Sequence, residues 1–175
     1  EWFANNITYK DIADMWVHES FTTYSENLFL DYHYGKEAAS EYVIGTRASI
    51  RNKSPIIGKY GLNQRGSDLY SKGANILHTL RQIAGDDEKW RSILRGLNKD
   101  FYHQTVTTEQ IENYILDRIG YKGGAGSGLY RFFDQYLRDT RIPEFRYEIV
   151  CAGGKCTLYY EWENVVSGFN MPNPE

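Results

Sequence analysis

Two carboxylates on one helical stretch are the residues of this sequence most open to chemistry. Glu19 and Glu26 lie seven residues apart in Trp16-Val17-His18-Glu19-Ser20-Phe21-Thr22-Thr23-Tyr24-Ser25-Glu26. Seven residues make two helical turns, so the two side chains stack on one face. Ile12, Met15, Trp16 and Leu30 recur at three- and four-residue steps on the same stripe, which places both carboxylates on a face expected to be buried. An ionised carboxylate there is costly unless it is paired, hydrogen-bonded or bound to a metal. An arginine partner, or a place at the rim of the core, satisfies the pattern as well as a metal does. His18-Glu19 is the only His-Glu pair and no H-E-x-x-H occurs, so the residues present do not make a complete zinc site.

The elements that must position these groups follow from periodicity and punctuation. A long helix is expected from Lys10 or Asp11 to Tyr34, ended by Gly35, and a second over about 36–52. Pro55, Gly58, Gly61 and Gly66 mark a loop. A helix capped by Ser67 or Asp68 then carries Leu69, Ala74, Leu77 and Leu80 to Gly85, and Asp86 starts another that reaches about Tyr102. Thr107 and Gln110 form a capping box for a helix ending at Gly120. Residues 121–128 are glycine-dense; without a Gly-Lys-Ser/Thr pattern or a preceding strand they read as a connector and not a phosphate loop. A last helix holds Leu129, Phe132, Phe133, Tyr136 and Leu137.

At Ile142-Pro143 the period becomes two. A hairpin about Gly153-Gly154 pairs Cys151 with Cys156, Ile149 with Leu158, Tyr147 with Tyr160 and Phe145 with Trp162. The two sulfurs then face each other, either as a disulfide in an oxidising compartment or as a reduced pair. The expected class is mainly α, with residues 1–142 helical and 143–175 the first strands of a β domain. Residues 1–9 read as a helix end and connecting loop, and the opening Glu1-Trp2-Phe3, without Met, as the middle of a longer pattern.

Composition sets the outer bounds. The 175 residues are 41% hydrophobic and 25% charged, an ordinary globular balance. A net charge of −3 without a basic run gives no reason to expect nucleic acid, and no apolar stretch approaches a membrane span. The cysteine pair lacks the further ligands of a zinc knuckle. Tyr70 is one of 15 tyrosines and by itself reads as a packing residue. His78, beside Leu77, reads as structural; His33 and His103 sit near helix ends; Lys72 can form a salt bridge or line a cleft.

Several of these stretches together resemble the M1 (gluzincin) zinc metallopeptidases, the group of aminopeptidase N and leukotriene A4 hydrolase. Trp2-Phe3-Ala4-Asn5 with Thr8 is similar to W-F-G-N-x-x-T, and Trp16 to Phe21 with Tyr24 and Glu26 to W-L-N-E-G-F-A-x-Y-x-E. The family's zinc motif is H-E-x-x-H, then eighteen residues, then Glu; here the eighteen residues Glu1 to His18 precede Glu19. Tyr70-Ser71-Lys72-Gly73-Ala74 resembles Y-x-K-G-A, and Thr107-Thr108-Glu109 and Phe132 to Leu137 are weaker matches. The resemblance implies a thermolysin-like helical catalytic segment and zinc-dependent hydrolysis of a peptide or protein substrate, with aminopeptidase action. It implies that Glu19 is the third zinc ligand, that Tyr70 stabilises the oxyanion, and that Glu26 orients a zinc ligand. This sequence departs from the pattern at Ala4 and Ser20, where Gly is usual, and at His18, where Asn is common. The zinc histidines, the catalytic Glu between them and G-x-M-E-N are not in the sequence, so a catalytically dead scaffold that binds other proteins is the alternative.

Overall fold

Helix α1 (Trp16–Tyr34) is central to the helical part of the computed structural model, which describes residues 2–121, 129 and 131–171. Its buried side chains are Trp16, Val17, Ser20, Phe21, Tyr24 and Asn27, which span an arc of about 140° at 100° per residue. Glu19 and Glu26 share a face beside that arc: Glu19 is half-buried and Glu26 exposed. This corrects the expectation that both carboxylates lie on the buried face. The physical reason is the phase of the helix. Ile12–Asp14 is a 3-10 turn capped by Asp11, whose carboxylate accepts the Ala13 N–H at 2.9 Å, so the residues before Trp16 do not extend the α-helical stripe.

Gly35, at φ +90°, separates α1 from α2 (Lys36–Thr46), which is shorter than expected because Arg47–Ser49 tightens into a 3-10 turn. Helix α3 (Ser71–Ala84) starts later than expected, with Tyr70 at its N-cap. Asp68 does not cap it. Its backbone is left-handed (φ +50°) and its carboxylate accepts the N–H groups of Arg51 and Asn52, the latter at 2.6 Å. Helix α4 (Asp87–Asp100) is capped by Asp86 and α5 (Thr108–Ile119) by the Thr107/Gln110 box, both as expected. Two short strands within stretches expected to be loop or helix end, β1 (Ile7–Tyr9) and β2 (Gln104–Val106), pair in parallel. Phe132 and Phe133 lead into a wide π-helical turn, Asp134–Arg138. The glycine-dense connector lies outside the described residues from 122 to 128. Among the described residues no helix is long and apolar enough to cross a membrane.

The core joins Trp16, Tyr24, Leu77, Trp90, Ile111 and Phe132 with their neighbours. Two polar clusters are built into it. Asp14 is fully buried; one carboxylate oxygen accepts the Thr108 N–H (3.1 Å), the Thr108 hydroxyl (2.6 Å) and the Tyr60 hydroxyl (2.6 Å). The Trp16 indole donates to the same Thr108 hydroxyl at 2.7 Å, so the start of α1 is fixed to the start of α5. Burial, with the Asp14 bond, pushes the Tyr60 phenol up to about 12. In the second cluster Arg81 of α3, 9% exposed, binds Asp31 of α1 at 2.5 Å and Asp87 of α4 at 2.8 Å. Lys36 of α2 adds a 2.9 Å contact to Asp87.

Strands β3 (Glu144–Ala152) and β4 (Lys155–Glu163) form the expected hairpin in the expected register, from Phe145↔Trp162 to Cys151↔Cys156. The two cysteines are joined as a disulfide. All of β3 and most of β4 are exposed. The chain after β4 ties the hairpin to the helices. Val166 N–H donates to Gln135 at 2.7 Å, Arg141 donates to the Val165 carbonyl at 2.8 Å, and Phe169 packs on both Tyr136 and Trp162.

Helices α1 and α3 cross where both carry small residues. A Cβ on Gly73 would stand 1.9 Å from Ser20 Oγ and 2.5 Å from Ser20 Cβ, whereas one on Gly45 of α2 meets nothing within 4 Å. Gly73→Ala therefore lowers unfolding free energy by roughly 1–3 kcal/mol through overpacking, and Gly45→Ala raises it by roughly 0.5–1 kcal/mol through helix propensity. Urea midpoints of the two variants check this; equal effects of one sign contradict it. The charged cluster sets an acid limit. Hydrogen bonds from Arg81 and then Lys36 hold the Asp87 carboxyl well below the usual range, and Arg141 holds Asp139 down at about 2. A carboxyl depressed in the folded state stabilises fully above its unfolded pKa, near 4, and loses that contribution as pH falls toward the folded value. The urea midpoint should fall between about pH 5 and pH 2, and less steeply in Asp87→Asn; an unchanged slope in that variant contradicts the assignment.

Candidate active site

Glu19 occupies the first turn of α1, and its two neighbours in sequence fasten that turn on opposite sides. His18 Nε2 accepts the Tyr9 N–H at 3.0 Å at the end of β1, and its ring packs on Tyr9 at 4.3 Å between centroids. Burial holds the His18 pKa below its ordinary value, consistent with a neutral ring accepting at Nε2. On the other side the Ser20 hydroxyl, fully buried, donates to the Leu69 carbonyl at 2.7 Å. The Glu19 carboxylate, on a residue half-buried between these anchors, has no hydrogen bond or ion pair to any described residue.

Tyr70 follows Leu69 directly. Its carbonyl accepts the Ala74 N–H at 2.8 Å as α3 begins, while its side chain is 49% exposed and its hydroxyl has no partner among the described residues. The Ser20–Leu69 bond thus brings together the backbone next to Glu19 and the backbone next to Tyr70. A carboxylate and a phenol, both uncommitted, stand on two elements locked to each other. An uncommitted carboxylate can accept a cation or a proton; an uncommitted phenol can donate a hydrogen bond to an oxygen that gains charge.

The other candidates are committed or remote. Glu26 accepts a short hydrogen bond from the Tyr42 hydroxyl of α2, which pushes that phenol up to about 12. Seven residues along a helix place it about 10 Å from Glu19 along the axis, so the two carboxylates do not meet. Lys72, on the Tyr70 motif, is 7% exposed and donates to the Asp139 carbonyl at 3.3 Å; burial lowers its pKa. It spans from α3 to the segment that precedes the hairpin, and it lines a cavity of about 340 Å³ with Asn75, Phe132 and Tyr136. His78 lies half-buried with its ring nitrogens 3.3 Å from the amides of Asn27 and Gln82, a packing position as expected. His33 stacks near Phe29 at 4.4 Å and His103 on Tyr102 at 4.0 Å, both exposed.

Zinc fits this geometry in one respect. A free carboxylate on a fastened helical turn is a suitable oxygen donor. Among the described residues no group of three or more His, Cys, Asp or Glu could hold a metal ion, so the chain offers a single donor and not a site. Cys151 and Cys156 are consumed in their disulfide on the hairpin. Glu19 and Tyr70 are visible in sequence motifs, but the contacts that position them are not. Ser20 entered only as a departure from a motif, and Tyr42 and the Asp14–Thr108 bond gave no signal. A small residue at Gly73, on an otherwise bulky helix face, was the one available hint of a close crossing.

The peptidase family M1 domain matches residues 1–136. Leukotriene A-4 hydrolase of Xenopus laevis is 22% identical over 187 residues, which takes in 92% of this chain and 29% of that protein. Endoplasmic reticulum aminopeptidase 2 of Homo sapiens is 25% identical over 138 residues, 71% of this chain and 14% of that protein. Among solved structures, a two-domain M1 zinc metallopeptidase variant bound to L-tryptophan superposes with a TM-score of 0.60 at 25% identity, covering 68% of this chain and 27% of the other. The M1 zinc metallopeptidase from Deinococcus radiodurans superposes with a TM-score of 0.58 at 24% identity, with the same coverage of this chain and 27% of its own. The chain spans less than a third of the length of these relatives. With the family domain matched across most of its length, and with a mainly helical architecture followed by β strands, the chain belongs to peptidase family M1.

Proposed function

We propose that this chain contributes two groups to zinc-dependent hydrolysis of peptide bonds, Glu19 as a zinc ligand and Tyr70 as an oxyanion donor, in a protein that removes N-terminal residues from peptides. The observation that carries the reading is the pair of uncommitted groups: the Glu19 carboxylate and the Tyr70 hydroxyl have no described partner, yet the turns that bear them are joined by the Ser20–Leu69 hydrogen bond. The aminopeptidase assignment draws on relatives named as aminopeptidases.

The chain's own residues would act as follows. Glu19 presents a carboxylate oxygen from a helical turn held by His18 and Ser20, so it can bind a cation with little reorganisation. Zinc, when bound, supplies Lewis acidity toward the scissile carbonyl and the attacking water. Tyr70 donates its hydroxyl hydrogen to the oxygen on which charge develops as water adds, a contact stronger in the transition state than in the substrate. Glu26, held by Tyr42, would orient a ligand other than Glu19. The remaining ligands and the general base must come from outside these residues, since no H-E-x-x-H occurs among them.

We assign residues 1–142 to the helical catalytic segment and 143–175 to the start of a β domain. The support is the hairpin itself. An isolated two-stranded hairpin is marginal, and this one leaves Tyr147, Ile149 and Tyr159 about three-fifths exposed, at 63%, 58% and 58%.

Two measurements test the reading. The 175-residue chain alone should hold no stoichiometric zinc at neutral pH, because one carboxylate is too few ligands; one tightly bound zinc per chain by metal analysis contradicts it. In the full-length protein, Tyr70→Phe should lower kcat by about 10²–10³ with little change in KM. A near-normal rate removes Tyr70 from the mechanism.

A further inference from the structure

The carbonyl of Leu69 is an unusual acceptor. It precedes α3, so it takes no part in the helical ladder: Gly73 N–H goes to the Asp68 carbonyl at 3.3 Å and Ala74 N–H to the Tyr70 carbonyl at 2.8 Å. The Ser20 hydroxyl is its donor, at 2.7 Å, and both residues are buried, Ser20 fully and Leu69 to 2%. The close approach that allows this bond depends on Gly73, since any side chain there would displace Ser20 Oγ. One residue back, Asp68 fastens the same segment to the loop after α2 through the Arg51 and Asn52 N–H groups. Segment 68–70 is therefore held by side chain at Asp68 and by main chain at Leu69, and Tyr70 projects from it with no partner for its hydroxyl among the described residues.

A tyrosine hydroxyl lies at the end of a long lever. A small rotation of the Leu69–Tyr70 peptide moves the phenol oxygen much further than it moves the backbone. The group that opposes this rotation stands next to Glu19 in sequence, on the same helical turn. We propose that Ser20 is a positioning residue: its hydrogen bond to the Leu69 carbonyl sets the location of the Tyr70 hydroxyl relative to the Glu19 carboxylate. The proposal rests on the zinc-peptidase reading of Glu19 and Tyr70. It adds a role for one of the two positions, Ser20, at which this chain departs from the Gly usual in the resembling motifs. Such a glycine cannot make the bond; the serine here can, and Gly73 leaves the space for it.

The test is a double-mutant cycle in the full-length, zinc-loaded protein on an aminoacyl chromogenic substrate, with zinc content and thermal unfolding measured for every variant. Ser20→Ala should lower kcat by about tenfold to 10²-fold, as expected for a displaced donor, with KM and zinc content unchanged. In a Tyr70→Phe background the same Ser20→Ala change should have no further effect on kcat, because the group it positions is gone. Ser20→Gly removes the hydroxyl without adding volume and should give the same cycle, which keeps the test decisive if the alanine variant folds poorly. Equal losses from Ser20→Ala in both backgrounds make Ser20 a structural residue only and overturn the proposal while leaving Tyr70 in place. No loss from either Ser20 variant overturns it as well. A normal rate for Tyr70→Phe alone overturns the proposal together with the oxyanion role on which it stands.

Discussion

The crossing of α1 and α3 at Ser20 and Gly73 is the constraint on which the rest of the site depends. Two helices can approach this closely only where a side chain is missing, and Gly73 supplies the gap. The approach lets a side-chain hydroxyl reach across to a main-chain carbonyl, 2.7 Å away, that would otherwise be buried without a donor. The bond satisfies a polar group in a region from which water is excluded, and it ties together two residues 49 positions apart, each beside a group that is chemically free. Close packing, hydrogen-bond satisfaction and placement of the two uncommitted groups therefore meet at one contact.

The surrounding polar clusters explain why the turn that carries Glu19 does not drift. Asp14 is buried, and a buried carboxylate is tolerated only when donors surround it. Thr108 and Tyr60 supply them, and Trp16 shares the Thr108 hydroxyl, so the entry to α1 is determined by α5 and by the loop after α2. At the far end Arg81 joins α1, α3 and α4 through two carboxylates. The helix is thus anchored at its start by one oxygen of Asp14 and near its end by the paired Asp31, whereas among the described residues the Glu19 carboxylate in its first turn has no partner. Glu112 makes the contrast plain: it is 9% exposed and takes two hydrogen bonds from Arg138, at 2.7 and 3.1 Å.

Much of the fold was legible because local rules agreed with the tertiary outcome. Gly35, Gly85 and Gly120 end their helices, the Thr107/Gln110 box starts one, and the alternation about Gly153-Gly154 specifies the hairpin register residue by residue. Local rules failed where distant residues decided. Asp68 has the chemistry of an N-cap, but the Arg51 and Asn52 N–H groups claim its carboxylate, and α3 starts at Ser71 instead. Strands β1 and β2 are three residues each and pair across most of the chain, too short for any period to register. The stripe through Ile12 and Met15 misjudged the buried face because a 3-10 turn resets the phase before Trp16. Of the site, the residue types Glu19 and Tyr70 could be read from motifs. The Ser20–Leu69 bond and the Tyr42–Glu26 bond could not, because both join positions that periodicity does not connect.

Under the proposed function, the α1–α3 crossing presents the Glu19 carboxylate and the Tyr70 hydroxyl to one reaction centre. Anomalous diffraction at the zinc absorption edge, from crystals of the full-length protein grown with a phosphinic peptide analogue, tests it most directly. The account predicts one zinc peak with a Glu19 carboxylate oxygen at about 2.0–2.2 Å, and the Tyr70 hydroxyl within hydrogen-bonding distance of a phosphinyl oxygen. A zinc peak coordinated elsewhere, with Glu19 left free, would contradict it.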